Sequence, residues 1–428
     1  MPEGKFRESH GRHSSWRRYQ YDGRRVWKTG GEKSGWLESV GKVAKEAFLP
    51  QGYPDSVSSD YLSYQLWDTL QSFCSSITGT LATLAVLKGV GVGDSTATPL
   101  AATITWMLKD GTGMLGRILF AWLCGTDLDC FSKQWRLVAD ALNDLAILLN
   151  LIAPLFPGVF LFIACFASLC RAIVGVAGNA TRAAFVQHQA RRNNMADVAA
   201  KDGSQETLMN LVGLIVNLII IPTVASSQSL IWLMFVVFTA LHLWANYCAV
   251  TVLCMETLNK NRLHVVVQHY LKTGDVLTPK QANAQEPVLR RIPMRLNYSL
   301  GCPLSKALQS ATNDYIRLNN YMFIPHSGGH KVSVCLHEES DRKDQLRAAL
   351  TVECAEFICT SGMTGPVLTH EYAQYLGGEG NALKMAQSIM DKSCEEFISA
   401  LSTVGWVTSH VLLGAEEWRY SWSPDKNT

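Results

Sequence analysis

The sequence predicts a mainly α-helical protein, a multi-pass membrane helical bundle followed by a small C-terminal α+β domain. Two stretches, residues 145–170 and 207–255, contain no Lys, Arg, Asp or Glu, and each is long enough for a helix that crosses a bilayer. Five predicted helices also share a stripe of small and polar side chains spaced by three or four residues. After residue 274 the composition changes to short helical and strand-like segments, which indicates a separate domain outside the membrane.

Composition limits the function classes. The chain of 428 residues is too long for one compact core, and its mean hydropathy of +0.07 averages an apolar middle with polar ends. A net charge of +2 argues against a nucleic-acid binder. The twelve cysteines include no Cys-x-x-Cys pair, which argues against a zinc ribbon. We therefore expect buried thiols in a reducing compartment.

The N-terminal segment, residues 1–48, is basic and contains tryptophans. The dipeptide Asp22-Gly23 predicts a hairpin turn between two short strands. This segment either rests on anionic lipid headgroups or packs as an ordinary solvated hairpin. The membrane domain, residues 49–274, begins after it with a turn-rich linker.

The first predicted helix of the membrane domain runs from about residue 60 to residue 87. Its polar stripe consists of Gln65, Asp68, Ser72, Ser76, Gly79 and Thr83. The glycine-rich run at residues 89–94 is interpreted as a flexible connection, because it lacks the spacing of a nucleotide-binding loop. A second helix, residues 96–109, is predicted to end where three glycines interrupt residues 109–117, and a short apolar piece follows.

A third helix is predicted to begin near Ser132. Its polar line contains Arg136, Asp140, Asn143, Ile147 and Asn150, with Asp144 beside it. Carboxylates that faced lipid would cost about 2.5–3.5 kcal/mol each, so we expect them to face protein or water. Two prolines, Pro154 and Pro157, then interrupt the chain before an apolar segment at residues 159–170.

The polar stretch at residues 179–206 lies between the two uncharged runs and predicts a reentrant or loop-borne functional site. Asp202 followed by Gln205 is typical of an N-cap with its capping-box partner, which predicts a helix that starts there and ends before Pro222. Its polar stripe is Glu206, Asn210, Gly213 and Asn217. A last membrane helix is predicted at residues 229–255, with a stripe of Thr239, His242, Asn246 and Ala249.

The stripes permit two interpretations. Small and polar side chains allow membrane helices to pack closely, without any cavity. Ionisable members instead favour a water-accessible path through the bundle; a soluble helical bundle is the third possibility. The candidate polar interior comprises Asp68, Lys109, Asp110, Arg117, Asp140, Asn143, Asp144, Arg182, His188, Asn194, Asp197, Lys201, Asp202, Glu206 and Asn210.

Signals for chemistry are weak, so we expect neither an enzyme nor a bound cofactor or metal. His326, His330 and His337 do not match the spacing of a standard metal site. His188 lies near Asp197 and Ser204 in the sequence, but no nucleophile elbow accompanies them.

The basic residues predict an orientation. Residues 171–201 hold five Lys or Arg, whereas residues 222–229 hold none, so the first segment is expected on the cytoplasmic or equivalent side. The chain after residue 256 returns to that side. There we predict a linker at residues 275–300 and the α+β domain at residues 301–428, with strands near Tyr321 and Lys331 and two long helices.

Several segments together resemble the root UV-B sensitive (RUS) family, in particular its animal branch. They are LPQGYPDSVSSDYLSYQLWDTLQ, GVGVGDSTAT, WMLKDGTGMLGRILFAW, KQWRLVADALNDLA, GNATRAAFVQHQARRNNMADVAAKDGSQET and LHLWANYCAV. The resemblance covers roughly residues 49–271 and implies a membrane-associated protein, with a link to vitamin B6 homeostasis and the UV-B response in plants. It supplies no catalytic residues. It makes Arg117, Arg182 and the helix start after Asp202 candidates for binding an anion.

The leading interpretation is a transporter-like bundle in a lipid bilayer that handles a small anionic or zwitterionic solute. The alternative is a membrane-anchored scaffold whose C-terminal domain recruits partners. A homo- or hetero-oligomer within the family is compatible with both. A membrane-embedded enzyme ranks third, because no set of nucleophile, base and metal is recognisable.

Overall fold

The computed structural model describes residues 4–8, 17–21, 26–28, 36–89, 99–224, 226–311, 315–318, 320–361 and 379–421. Two compact units make up the chain. One comprises Met1–Leu81 with Ala183–Ala245, and the other comprises Ala82–Arg182 with Asn246–Thr428. The described residues form twelve α-helices and ten strands, which confirms the mainly α fold class.

A small sheet opens the chain. Its strands are β1 (Gly4–Glu8), β2 (Arg17–Tyr21) and β3 (Val26–Lys28), and helix α1 (Trp36–Phe48) follows. β2 pairs antiparallel with both β1 and β3. The sequence predicted the β2 and β3 strands but not β1, and the predicted Asp22-Gly23 turn lies outside the described residues.

Six long helices follow α1. They are α2 (Tyr61–Gly89), α3 (Pro99–Cys130), α4 (Ser132–Ile152), α5 (Phe160–Gln189), α6 (Met195–Val224) and α7 (Gln228–Val252). Short 3-10 turns at Ala153–Leu155 and Pro157–Val159 separate α4 from α5, as the two prolines predicted. Among the described residues, five helices are long and apolar enough to cross a membrane, namely α2, α4, α5, α6 and α7. Helix α3 falls below that apolar limit.

The predicted break in α3 is wrong, because the helix continues through all three glycines of residues 109–117. Each interior glycine costs an isolated helix about 1 kcal/mol, but two of them let α3 lie close to α5. A Cβ on Gly113 would lie 2.8 Å from Ser168 Oγ, and one on Gly116 would overlap Leu169 Cδ1. Packing against α5 therefore outweighs the local preference.

The predicted helix start at Asp202 is also wrong. Helix α6 begins at Met195, and the buried Asp202 carboxylate accepts a hydrogen bond from Gln65 Nε2 at 3.1 Å. Helix α5 extends to Gln189, so the stretch predicted to be reentrant is mostly helical. Helix α6 also continues past Pro222 to Val224, because a proline in the last turn disrupts few backbone hydrogen bonds.

The polar stripes of α2 and α6 pack against each other. A Cβ on Gly213 would lie 2.5 Å from Ser76 Oγ and 2.8 Å from Ser76 Cβ. Asn217 Nδ2 donates to Thr80 Oγ1 at 2.7 Å. Close packing, the first interpretation of the stripes, describes this pair of helices.

We expect Gly213→Ala to lower the free energy of unfolding by about 1–3 kcal/mol, because the new methyl group overpacks the contact with Ser76. The matched control is Gly79→Ala on α2, where no atom lies within 4 Å of the added Cβ. The control should be neutral or slightly stabilising. Thermal unfolding of the purified full chain in detergent measures both variants, and equal shifts would show that the contact is not tight.

The C-terminal part contains the remaining elements. They are β4 (Thr257–Asn259), α8 (Lys260–Thr273), α9 (Pro279–Gln285), β5 (Asn297–Leu300), α10 (Leu304–Gln309), β6 (Ile316–Arg317), β7 (Tyr321–Pro325), β8 (Lys331–His337), α11 (Arg342–Ser361), α12 (Glu379–Thr403), β9 (Val407–Leu412) and β10 (Arg419–Tyr420). The main sheet has the order β10-β8-β7-β6, and β5 also pairs with β8. Strand β4 pairs in parallel with β9. A large apolar core joins this sheet to α8, α11 and α12.

The segment predicted as a linker, residues 275–300, is folded instead. Thr278 and Gln281 form a capping box at the start of α9, and strand β5 extends the sheet. Asn283 and Glu286 within the segment are buried. Both contact Lys133, which is about 150 residues away in the sequence, so the local content of Pro and Arg does not indicate that they are buried.

Candidate functional site

A partly open cavity of about 190 Å³ lies within the second unit. Four helices contribute to it: the end of α2, the first half of α3, the last turn of α4 and the first half of α5. The lining residues are Ala82, Thr83, Val86, Leu87, Trp106, Lys109, Asp110, Asn150, Ala164, Ser168 and Arg171. The cavity wall thus combines five apolar residues with six polar or charged ones, and the polar groups can orient a small molecule.

The charged groups of this cavity carry a net positive charge. Lys109 Nζ lies 3.6 Å from the centroid of the Trp106 ring and 3.9 Å from Asp110 Oδ1. The Lys109 side chain is 16% exposed and that of Asp110 is 59% exposed. Arg171 adds a second cation on α5. Two cations and one carboxylate favour an anionic or zwitterionic ligand.

Glycine packing positions the cavity. The close approach of Gly113 and Gly116 to Ser168 and Leu169 holds α3 against α5, one turn from the Lys109 and Arg171 positions. The candidate polar interior included Lys109 and Asp110, and the predicted polar line of the third helix included Asn150, but Arg171 and Ser168 were not predicted to belong to a site. The signal that could have identified Arg171 is its position as a lone arginine directly after a 26-residue uncharged run, residues 145–170.

A second polar cluster lies within the first unit, where the segment before α2 meets the α5–α6 connection. Ser58 N donates to the carbonyl oxygen of Gln189 at 2.9 Å. His188 Nε2 lies 2.9 Å from Asp60 Oδ2, and both side chains are nearly buried. This cluster joins the two segments, and its internal hydrogen bonds indicate a structural role.

Three further predicted residues belong to that cluster. Asn194 Nδ2 donates to the Ser56 carbonyl oxygen at 3.2 Å, and Lys201 Nζ donates to the Glu46 carbonyl oxygen at 2.6 Å. Asp197 Oδ2 accepts from the Gln51 backbone N–H at 2.7 Å. These contacts hold the end of α1 and the loop at residues 49–60 against the start of α6.

The other predicted residues are distributed over both units. On α4, Asp140 and Asp144 are buried, and Asp140 Oδ2 lies 3.4 Å from Arg136 Nε. Asp68, Asn143, Arg182 and Glu206 are partly buried, and Arg117 and Asn210 are exposed. A single interior shared by the whole set stays a prediction. Within the described residues, no group of three or more His, Cys, Asp or Glu side chains is arranged for a metal ion.

The second unit also contains a buried charge cluster at the start of α4. Glu286 is central to it: Oε2 lies 3.2 Å from Lys133 Nζ, and Oε1 accepts from Arg262 at 3.0 Å. Lys133 Nζ also donates to Asn283 Oδ1 at 2.6 Å. Asn259 Nδ2 donates to Glu286 Oε1 at 3.2 Å. The side chains of Lys133, Glu286 and Arg262 are at most 4% exposed.

Another buried ion pair lies between α8 and α11. His264 Nδ1 lies 2.8 Å from Glu353 Oε2, and Tyr298 donates its hydroxyl to Glu353 Oε1 at 3.5 Å. Burial lowers the pKa of His264, but the Glu353 carboxylate raises it more, so the net pKa lies above its ordinary 6.5. Burial raises the pKa of Glu353 above 4.5 despite the nearby imidazole. The folded state therefore holds protons more tightly at both groups than the unfolded state does.

This pair predicts a pH dependence of stability. Because both pKa values are raised on folding, stability is lost as pH rises, beginning above 4.5 for Glu353 and above 6.5 for His264. We expect the free energy of unfolding to fall by about 1 kcal/mol between about pH 6 and pH 8. In the His264→Gln variant the free energy of unfolding should depend less on pH. The exposed His410→Gln variant is the control. Thermal unfolding against pH tests this, and identical slopes would contradict it.

The fold and the cavity together define a helical protein whose five long apolar helices suggest membrane association. The sequence comparisons then give its family. A family model described as the vitamin B6 photo-protection and homoeostasis domain matches residues 36–274, and one described as root UVB sensitive protein, C-terminal, matches residues 275–422. The chain belongs to the root UVB sensitive family, which confirms the resemblance found in its motifs.

Two relatives illustrate the match. The chain is 44% identical over 302 residues to RUS family member 1 of Dictyostelium discoideum, which covers 68% of this chain and 56% of that protein. It is 36% identical over 395 residues to protein root UVB sensitive 3 of Arabidopsis thaliana, which covers 88% of this chain and 86% of that protein. The chain thus spans little more than half the length of the Dictyostelium relative. No solved structure matches it.

Proposed function

We propose that the protein is a membrane transporter that binds a small anionic or zwitterionic solute in the cavity between α2, α3, α4 and α5. The observation that carries this proposal is the placement of Lys109 and Arg171 in one cavity whose wall is partly apolar. A cation inside a membrane helix is costly unless it faces a polar cavity or a partner. A cavity that keeps two of them is suited to a ligand of opposite charge.

The volume of about 190 Å³ is below the roughly 300–1,000 Å³ of pockets that hold drug-sized ligands, so the solute is small. Trp106 offers an aromatic face, and Asn150 and Ser168 offer hydrogen-bonding groups. The description of the matching family model names vitamin B6. Phosphorylated B6 vitamers combine a small aromatic ring with an anionic group, so they are the first solutes to test.

Reconstitution tests the proposal directly. The purified full chain is incorporated into proteoliposomes, and the uptake of labelled pyridoxal 5′-phosphate is compared with that of a neutral sugar and with protein-free liposomes. We expect uptake of the anionic vitamer alone to exceed the background. Vesicles that contain folded protein and yet take up neither this vitamer nor its amine analogue would contradict the proposal.

The scaffold alternative has one supporting observation, a polar cleft of about 460 Å³ in the C-terminal domain. Its wall includes Arg317, Asn320, Tyr321, Asp344, Arg347, Thr351, Gln387, Asp391 and Glu395. A scaffold would give inert proteoliposomes and a specific partner whose binding to the full chain is lost on Asp391→Arg. Uptake without any partner favours the transporter instead.

A further inference from the structure

Helix α3 (Pro99–Cys130) has an apolar face that the described residues leave exposed. Leu100, Ile104, Leu108, Leu115, Leu119 and Trp122 recur along one side of it and are 47–78% exposed. At 1.5 Å per residue its 32 residues extend about 48 Å, well beyond the roughly 30 Å of a hydrocarbon core. The charged Lys109 and Asp110 lower its mean hydropathy, but both line the cavity.

The corner between α3 and α4 is attached to the C-terminal domain. Arg291 pairs with Asp127 on α3, and its guanidinium lies 4.0 Å from the centroid of the Phe131 ring. Asn283 accepts from Lys133 in the first turn of α4 and from the Met255 backbone N–H just after α7. The end of α3, the start of α4 and the end of α7 therefore lie on one side of the membrane, together with the C-terminal domain.

Chain order then determines how often the chain crosses. Helix α4 leaves the C-terminal-domain side and α5 returns, so Gln189 at the end of α5 lies on that side. Ser58 N donates to the Gln189 carbonyl oxygen, and Arg191 N donates to that of Ser56, so α2 also begins there. Helix α2 carries the chain to the opposite side. Since α3 ends at the C-terminal-domain side, α3 must cross the membrane as well.

We infer that α3 is a sixth transmembrane helix, with its exposed apolar face covered by lipid. The inference rests on the membrane insertion in the proposed function but not on the solute. The charges support it independently. Of the connections that it places opposite the C-terminal domain, residues 90–98, 153–159 and 225–227 contain no Lys or Arg, and Lys88 in the last turn of α2 is the one basic residue beside them, whereas Arg191, Arg192 and Lys133 would lie on the other side. The positive-inside rule expects this asymmetry.

The six crossings also determine in which half of the membrane the cavity lies. Val86 lies three residues before the end of α2, and Asn150 lies in the last turn of α4. Ser168 lies eight residues, or about 12 Å, after the start of α5. All these helix ends are on the side opposite the C-terminal domain. The cavity therefore lies in the half of the membrane away from that domain, and the solute enters from that side.

Acceptor insertion into the full chain, translated into microsomes, tests the topology. A glycosylation acceptor with a flexible spacer is placed between residues 94 and 95, between 226 and 227, or, as a control, between 192 and 193. We expect modification at the first two positions only. The two native acceptor triplets, Asn297-Tyr298-Ser299 and Asn179-Ala180-Thr181, should stay unmodified, and the Asn297→Gln and Asn179→Gln variants verify this.

Modification at residues 226–227 without modification at 94–95 would mean that α2 and α3 do not cross, and it would overturn the inference. So would modification at 192–193, or a membrane-integrated chain modified at none of the three positions. Six crossings in a chain that transports nothing would leave this inference standing and remove the proposed function. Uptake by a chain with four crossings would overturn this inference and leave the proposed function standing.

The position of the cavity is tested by thiol labelling. In sealed vesicles that keep the C-terminal domain inside, Thr83→Cys is exposed to a membrane-impermeant thiol reagent, with the wild-type chain as background. We expect labelling above the wild-type level, and protection when the vesicles are opened in the presence of pyridoxal 5′-phosphate. Labelling that requires access from the C-terminal-domain side would overturn this part of the inference.

Discussion

Replacing Glu286 with Gln is expected to lower the free energy of unfolding by about 3–5 kcal/mol, the typical cost of leaving a buried charge unpaired. The variant would leave two cations, Lys133 and Arg262, without the carboxylate that both contact, at 3.2 and 3.0 Å. Because the cluster joins the start of α4 to the C-terminal domain, its loss should also weaken the attachment between them. Thermal unfolding of the full chain in detergent measures the first effect, and proteolytic release of the C-terminal domain measures the second.

The sign of the accompanying pH effect follows from the pKa of Glu286. Burial raises this pKa, but Arg262 and Lys133 lower it more, so it lies below 4.5 in the folded state. The stabilisation is therefore present above pH 4.5 and is lost as the pH falls through the folded pKa, and Glu286→Gln should remove this dependence. The control is Glu417→Gln, whose side chain is 96% exposed. Equal stabilities of the two variants would mean that the cluster is solvated.

Replacing Lys109 or Arg171 with Gln is expected to reduce solute uptake by about 10- to 150-fold each. A hydrogen bond to a charged group contributes about 1.5–3 kcal/mol, and each substitution removes one cation from the cavity. The effect should appear mainly as a weaker apparent affinity, because the charge contributes to binding. Initial uptake rates of labelled pyridoxal 5′-phosphate against concentration, in proteoliposomes with equal protein content, measure it.

The matched control for these variants is Arg117→Gln. Arg117 lies on α3, as Lys109 does, but it is exposed and does not line the cavity. The Arg117→Gln variant should keep solute uptake within about twofold of the wild-type rate. The Lys109→Arg variant should retain most of the wild-type uptake, because the positive charge remains. If Arg117→Gln impairs uptake as strongly as Lys109→Gln, the bound solute lies elsewhere or the charge acts only at long range.

Local patterns predicted much of the fold. The uncharged runs predicted α5, α6 and α7. Pro154 and Pro157 predicted the interruption before α5, and the strand-like segments near Tyr321 and Lys331 predicted β7 and β8. The capping signal at Asp202 predicted a helix start, and the glycines of α3 predicted a helix break. Both predictions were wrong, because each residue makes a tertiary contact that the local sequence does not show. Asp202 binds Gln65, 137 residues away, and Gly113 and Gly116 adjoin α5. In both cases a long-range contact outweighed a local preference of about 1 kcal/mol.

The candidate site likewise contains residues that the sequence predicted and residues that only the tertiary structure identified. Lys109 and Asp110 were predicted to belong to the polar interior, although at the end of a broken helix, because ionisable groups among apolar helices are costly unless they face protein or water. Asn150 was predicted to lie on a polar line, but Arg171 and Ser168 were not assigned to the site, since nothing in the local sequence indicates that α3, α4 and α5 meet around one cavity. The role of Glu286 likewise appears only once Lys133 and Arg262 are beside it.

The sequence by itself determined the class of elements, the family and the apolar lengths, because these depend on residues that are neighbours along the chain. Only the tertiary structure decided which polar groups share a cavity, which charges neutralise one another and where α3 runs. Those properties depend on contacts between residues far apart in the sequence, and their energies exceed the local preferences that the sequence displays.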